Sequence, residues 1–316
     1  MKIATITLNP ALDLTARLSA LEPGEVNLVE QASLRAAGKG INVAMVLKDL
    51  GCDVTVTGWL GEGNQSAFVE LFERKGLQDA FVRVHGETRI NVKIAETSGR
   101  VTDLNLPGLT VDQKARESLL ATLDKLCLDH DWFVLAGSLP KGVEPEFTRE
   151  LIVRLKASGK KVIFDCSGAA LRAGLEAGPT LVKPNREELG QWAGRAIETD
   201  ADQADCAARL RAQGVEQVVI SDGSRGLLWF SKEGTLRAVP PRMQVVSTVG
   251  AGDSLVAGLV YGLAQGLTKE ETVRLATAAS ALAVSQVAVG FAGREQLSPM
   301  MERVVVTQLM TQGDAP

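Results

Sequence analysis

The 316-residue sequence is poor in side chains that bind metals. It has two histidines, His85 and His130, and four cysteines, Cys52, Cys127, Cys166 and Cys206. No two cysteines form a C-x-x-C pair. Their spread argues against zinc and fits reduced cytosolic thiols. The simplest use of each is as a small core hydrophobe. A basic block is missing too. The net charge is −4, so nucleic acid is not an expected partner, and an anionic substrate would need locally placed Lys or Arg. No apolar run approaches the roughly 18 residues of a membrane span, so none is expected. The opening residues Met1–Pro10 are too polar for a signal sequence and read as a first strand. There are no repeats, low-complexity tracts or Pro-rich linkers. What is present is ordinary for a globular protein: 45% hydrophobic and 23% charged residues. The length suits one large α/β domain with an appendage, or two domains.

The stretch around which the chain is organised is Ser247-Thr248-Val249-Gly250-Ala251-Gly252-Asp253-Ser254, followed by an apolar run to Gly262. Three small residues in a row let the backbone turn tightly and approach a ligand. The run after them reads as a buried helix. A helix start offers free N–H groups and a partial positive charge, which suit a phosphate or a developing oxyanion. A carboxylate at Asp253 is an odd neighbour for a phosphate unless it serves a hydroxyl whose proton must leave. Donors for a transferring phosphoryl group beside a base for the acceptor make a kinase site. The plainer alternative is that Asp253 caps the helix and the glycines only make the turn.

Taken in order, Lys2–Leu8 alternates as a strand and stops at Asn9-Pro10. Asp13, just past it, is placed to bind sugar hydroxyls or to be a solvated turn residue. Gly38-Lys39-Gly40-Ile41-Asn42-Val43 opens a helix to about Leu50 and imitates a dinucleotide fingerprint. Val43 stands where the third glycine belongs, which weakens a nicotinamide dehydrogenase reading. Gly38 and Gly40 can bring backbone against a substrate, Lys39 supplies a point charge for phosphate, and Asn42 can bond a hydroxyl. A strand over Val54–Trp59 and a helix to about Lys75 follow.

Thr88–Ala95 alternates with period two, putting Arg89, Asn91 and Lys93 on one face and Ile90, Val92 and Ile94 on the other. With Val101–Leu106 it predicts a hairpin outside the main sheet, one face dry and one wet. It is either an ordinary edge hairpin or a lid over the substrate, with Arg89 on its phosphate. Beyond Gly108 the pattern alternates. Strands are expected over Trp132–Ala136, Lys161–Asp165, Thr180–Lys183 and Gln217–Ser221. Helices are expected over Val111–Asp129, Pro145–Ala157, Asn185–Ala193 and Asp200–Ala212. This predicts a parallel sheet covered on both faces. Ser138, Asp165, Lys183, Asn185, Ser221 and Gly223 fall at or just past the strands' carboxyl ends, where open α/β sheets bind ligands. A second hairpin over Leu227–Phe230 and Thr235–Val239 leads to the Gly250 motif. The remainder reads as helical, from Lys269 through Ala288 and again from Glu295, with disorder over Gln312–Pro316.

On these motifs the chain resembles the ribokinase-like sugar kinases of the PfkB type, over nearly its whole length. Two signatures carry the resemblance, Gly38-Lys39-Gly40-Ile41-Asn42-Val43-Ala44 and Val249-Gly250-Ala251-Gly252-Asp253. Lys183-Pro184-Asn185-Arg186-Glu187-Glu188 lies between them. The resemblance implies a single kinase domain over residues 1–316. It would be an α/β, three-layer α/β/α fold with a central, mostly parallel sheet and a small β-sheet lid from segments of about 12–35 and 86–107. It implies ATP and Mg2+ as cofactors and a cytoplasmic homodimer joined through the lid.

The resemblance also implies roles. Asp253 is the catalytic base, with the amides of Gly250, Ala251 and Gly252 as the anion hole. Asp13, Gly38, Lys39, Gly40, Asn42, Arg89, Asn91 and Ser138 form the sugar-phosphate site. Lys183, Asn185, Ser221, Gly223, Ser224, Gly226 and Thr248 face the nucleotide, and Asn185 and Glu188 place magnesium through water. Asp222 departs from the usual nucleotide loop, and its charge is expected to point away from the phosphates.

Members of the family phosphorylate fructose 1-phosphate, fructose 6-phosphate or tagatose 6-phosphate. Gly24–Asn27, Thr102–Asn105 and Gly137–Pro140 are similar to the versions acting on fructose 1-phosphate. A non-catalytic sugar-phosphate sensor would be expected to have lost the base or the glycine turn, and both are intact.

Overall fold

The apolar strand segments collect into one sheet in the computed structural model, which describes residues 1–309. The disorder expected at Gln312–Pro316 lies outside the described residues. The side chains of each strand point alternately to two cores. Ile3 and Val134 join one hydrophobic cluster, while Ala4, Ile6, Phe133 and Leu135 join the other. A sheet apolar on both faces must be covered twice, and each fully buried Val, Leu, Ile or Phe contributes about 1.5–3 kcal/mol. One face carries the helices Lys39–Asp49, Ala251–Gln265 and Lys269–Val284. The other carries Gln113–Leu126, Glu146–Ala157, Gly168–Leu175 and Asp200–Ala212.

Among the described residues the sheet has eleven strands. Its parallel part runs Gln217–Ser221, Leu181–Val182, Lys161–Asp165, Trp132–Ala136, Lys2–Thr7 and Asp53–Gly61, with Gln78–Asp79 and Val82–Val84 beyond. Leu227–Ser231, Gly234–Val239 and Val305–Leu309 add an antiparallel edge. The α/β class expected from the sequence, mostly parallel and covered by helices on both sides, is the architecture observed.

Three local expectations need correction. The chain after Lys269 is not all helix. The helix stops at Val284, and Val305–Leu309 is a strand paired with Gly234–Val239. Val304, Val305, Val306 and Thr307 are β-branched and fit a pleated edge better than a helix. The Gly168–Leu175 helix, absent from the sequence reading, fills the turn after Asp165. The expected hairpin is half of a separate four-stranded sheet, ordered Gln31–Ala37, Ala11–Leu18, Ile90–Glu96, Val101–Asn105. Asp13 therefore lies within a strand, opposite Arg35 and Asn91, and not in a turn.

The expected dry face of this small sheet is only half dry. Ile90, Val92 and Ile94 are half-buried, and Leu34 and Leu104 are 51% and 50% exposed. Within one chain, too little packs against that face to bury it.

Candidate active site

The Ala251–Gln265 helix begins where the backbone must turn left-handed. Gly250 has φ +77°, and a Cβ there would lie 2.6 Å from Cγ2 of Val289. Only glycine adopts this conformation without strain, and only glycine fits. The first-turn amides have no partner inside the helix. The Ala251 N–H reaches the Thr248 carbonyl at 3.4 Å, a long bond, while the Gly252 and Asp253 N–H groups have no hydrogen-bond partner among the described residues. Thr248 itself is exposed.

Asp253 is 6% exposed. Its Oδ2 accepts a 2.7 Å hydrogen bond from Nδ2 of Asn42, contributed by the Lys39–Asp49 helix. Burial, then the charge of Asp165, pushes the Asp253 carboxyl up to about 6. The Asn42 hydrogen bond and the ammonium groups of Lys39 and Lys183 pull the other way. Asp253 is thus ionised at neutral pH, yet a far stronger proton acceptor than an exposed aspartate.

Beside it, Asp165 ends the Lys161–Asp165 strand and is 1% exposed. Its two oxygens face two lysines, Oδ1 at 3.3 Å from Nζ of buried Lys183 and Oδ2 at 3.5 Å from Nζ of Lys39. The first contact has no hydrogen-bond geometry, so Oδ1 stays unsatisfied. Burial alone would lower the Lys39 ammonium, but Asp165, Asp253 and Glu188 outweigh it and hold that ammonium above its ordinary value. Lys183 Nζ also lies 3.8 Å from where a Gly252 side chain would begin. Asp165 was legible as a strand-end carboxylate. Its role as the charge between two site lysines was not, because 126 residues separate it from Lys39.

On the neighbouring strand ends, Asn185 and Glu188 form a capping box. Asn185 Oδ1 accepts from the Glu188 N–H at 2.8 Å, and Glu188 Oε2 accepts from the Asn185 N–H at 2.9 Å. Asn185 also bridges Ser221, whose N–H donates to the Pro184 carbonyl. The Gly223–Arg225 turn projects Gly223 and Ser224 into solvent. Gly226 packs so tightly that a Cβ would meet the Ala238 carbonyl oxygen at 1.9 Å. Asp222 is held by Arg186 at 3.1 Å and Arg225 at 3.0 Å, so its charge is neutralised locally.

The small sheet supplies the remaining predicted residues. Asn91 Nδ2 donates to Asp13 Oδ1 at 3.0 Å. Burial raises the Asp13 carboxyl, against the pull of Asn91, Lys93 and Arg89. Arg89 leans on the carbonyls of Asn9 and Pro10 at 3.3 and 3.4 Å. Asn9, which the sequence reading passed over, donates to Ser138 Oγ at 3.1 Å and so ties this group to the strand edge. Lys93 is engaged elsewhere, with Asp103 at 2.6 Å. Gly40 packs closely on the first strand. A Cβ there would meet Thr7 Oγ1 at 2.4 Å, so its smallness seats the helix on the first strand. Gly38 is similar, with Thr7 Cγ2 at 2.8 Å.

Such a crevice suits transfer of a charged group to a hydroxyl, and the class it points to is that of α/β kinases acting on small molecules. The chain belongs to the pfkB family of carbohydrate kinases, whose family model matches residues 6–295. It is 54% identical to a 1-phosphofructokinase of Vibrio cholerae over 308 residues, spanning 98% of this chain and 97% of that protein. It is 51% identical to one from Escherichia coli K12, spanning 96% and 97%. Among solved structures, phosphofructokinase-2 from Escherichia coli in complex with potassium superposes with a TM-score of 0.88 at 29% identity, covering 96% of this chain and 98% of that one. A possible 1-phosphofructokinase from Thermotoga maritima gives 0.87 at 25% identity, covering 98% and 100%.

Proposed function

We propose that this chain transfers the γ-phosphoryl group of ATP to the 6-hydroxyl of D-fructose 1-phosphate, giving ADP and D-fructose 1,6-bisphosphate. The near-full-length likeness to proteins named 1-phosphofructokinase supports the substrate. The observation that carries the chemistry is Asp253: a buried, ionisable carboxylate at the start of a helix, beside unpartnered amides and two lysines.

In this reading Asp253 accepts the 6-hydroxyl proton. Its pKa of about 6 is still far below an alcohol's, so the proton moves late, as the new P–O bond forms. The amides of the Gly250–Asp253 turn and Lys183 offset charge on the transferring group. Lys39, Arg89 and Asp13 hold the sugar phosphate, with Asn91 and Ser138 around them. Holding the 1-phosphate fixes which hydroxyl reaches ATP. Ser221, Gly223, Ser224, Gly226 and Thr248 line the nucleotide side, and Lys183 and Asn185 join them.

Glu188 fits a hydrated Mg2+. One of its oxygens is engaged in the helix cap, and no hydrogen bond engages the other among the described residues. Asn185 spends its side-chain oxygen on the Glu188 N–H, so it would act through water. The ion would neutralise phosphate charge, and oxygens of nucleotide and water would complete its shell.

The unit proposed is one kinase domain with a lid from residues of about 12–35 and 86–107, paired with a second copy through the lid, in the cytoplasm. No helix among the described residues is long and apolar enough to cross a membrane.

Coupled ADP release on fructose 1-phosphate, fructose 6-phosphate and tagatose 6-phosphate tests the substrate. The highest kcat/KM is expected for the first. A preference for either 6-phosphate would move the chain to another branch of the family.

A further inference from the structure

Lys39 and Asn42 sit three residues apart and so share one face of the first helical turn. Asn42 does not point into open space from that face. Its Nδ2 is 2.7 Å from Asp253 Oδ2, and the two side chains are 9% and 6% exposed. Asp253 Oδ1 carries no hydrogen bond among the described residues and is not sealed from solvent. The carboxylate is therefore differentiated, with one oxygen pinned and one open.

We propose that Asn42 is a positioning residue for Asp253, and not primarily a ligand of sugar hydroxyls: it pins Oδ2 so that Oδ1 is the oxygen that takes the substrate proton. The inference rests on the kinase reading above. In the step it serves, the substrate O–H bond breaks and its proton goes to Oδ1. The freed oxygen pair bonds the γ-phosphorus, and the bond to the β-phosphate oxygen breaks with its electrons leaving on ADP. The charged groups facing Asp253 are Asp165 from the Lys161–Asp165 strand, Lys39 from the same helix as Asn42, and Lys183 just beyond Leu181–Val182. Asn42 is the sole neutral partner among the groups that set the affinity of Asp253 for protons. A hydrogen bond to the ionised form keeps a carboxylate charged at lower pH.

The test is the pH profile of kcat for fructose 1-phosphate in Asn42→Ala and Asn42→Asp. With the alanine variant, kcat at neutral pH should fall about 10–100-fold while KM for the sugar phosphate stays within about threefold. The acidic limb should move up by about one pH unit. Asn42→Asp keeps the shape, so it carries the test if the alanine variant does not fold. A second carboxylate beside Asp253 should move the limb further in the same direction. In an Asp253→Ala background, Asn42→Ala should leave the calorimetric affinity for fructose 1-phosphate unchanged. An unmoved limb, with KM raised tenfold or more at unchanged kcat, would make Asn42 a sugar ligand and overturn the proposal. A wild-type chain that phosphorylates none of the three sugar phosphates would overturn the kinase reading, and this inference with it. An active wild type with the KM-only pattern overturns this inference alone.

Discussion

Asp253 combines two demands that oppose each other. Catalysis asks for a carboxylate away from water and near its reaction partner, and burial makes the charged form costly. The result is a pKa raised from 3.8 to about 6. The folded state therefore holds this proton more tightly than the unfolded chain does. The ionised group burdens stability above about pH 6, and the burden is relieved as pH falls from there toward about 4. Asp253→Asn removes the charge and keeps an oxygen for Asn42. It should raise Tm at pH 8 by a few degrees, on the order of 1–3 kcal/mol, and raise it less at pH 5. Thermal melts at the two pH values check this, and a lower Tm at pH 8 would contradict it. The place of this carboxylate in a helix's first turn was legible in the sequence, because it follows three small residues and precedes an apolar run. Its partners were not. Asn42 is 211 positions away, and nothing in either segment says that they touch.

At the scale of the element, the helix start is a backbone device that two glycines serve differently. Gly250 has positive φ and Val289 against its missing side chain. Gly252 has ordinary φ and is exposed, and a Cβ there would meet Lys183 Nζ at 3.8 Å, an ordinary contact. Gly250→Ala should cost about 1–3 kcal/mol of stability and lower kcat more than tenfold, since the whole first turn must shift. Gly252→Ala should leave Tm within about 2 °C and act only on turnover and the KM for ATP. Melts and steady-state kinetics on both variants decide it, and equal losses of stability would show that the two glycines do the same job. The alternating strands and the amphipathic helices of the large sheet were readable from periodicity. Ala11–Leu18 carries the same signal, with Leu12, Leu14, Ala16 and Leu18 alternating with Asp13, Thr15 and Arg17, and was passed over, whereas Gln31–Ala37 has Leu34 as its one large apolar side chain and signals a strand weakly. Val305–Leu309 was lost for another reason: an edge strand is identified by its partner, which lies some 70 residues earlier.

At the scale of the whole molecule, the small sheet leaves Leu34 and Leu104 about half exposed on the face that also carries half-buried Ile90, Val92 and Ile94. Apolar surface of that extent on one face marks an interaction site, and the proposed lid-to-lid dimer would cover it. Leu34→Glu with Leu104→Glu should turn a sedimenting dimer into a monomer and raise the KM for the sugar phosphate. A wild type that sediments as a monomer at micromolar concentration would contradict the dimer. The crevice joins both ends of the chain, with Lys39 and Asn42 from the first helix, Asp165 and Lys183 from the middle strands, and Asp253 from a late helix. Motif order in the sequence announced that convergence, while the charge pattern that results from it needed coordinates. The measurement that bears most directly on the account is turnover of Asp253→Ala with fructose 1-phosphate, taken together with its calorimetric affinity for ATP. The account expects turnover to drop by about 10²–10⁴ or more with ATP affinity within a few fold of wild type. Turnover within tenfold of wild type would remove Asp253 as the proton acceptor and contradict it.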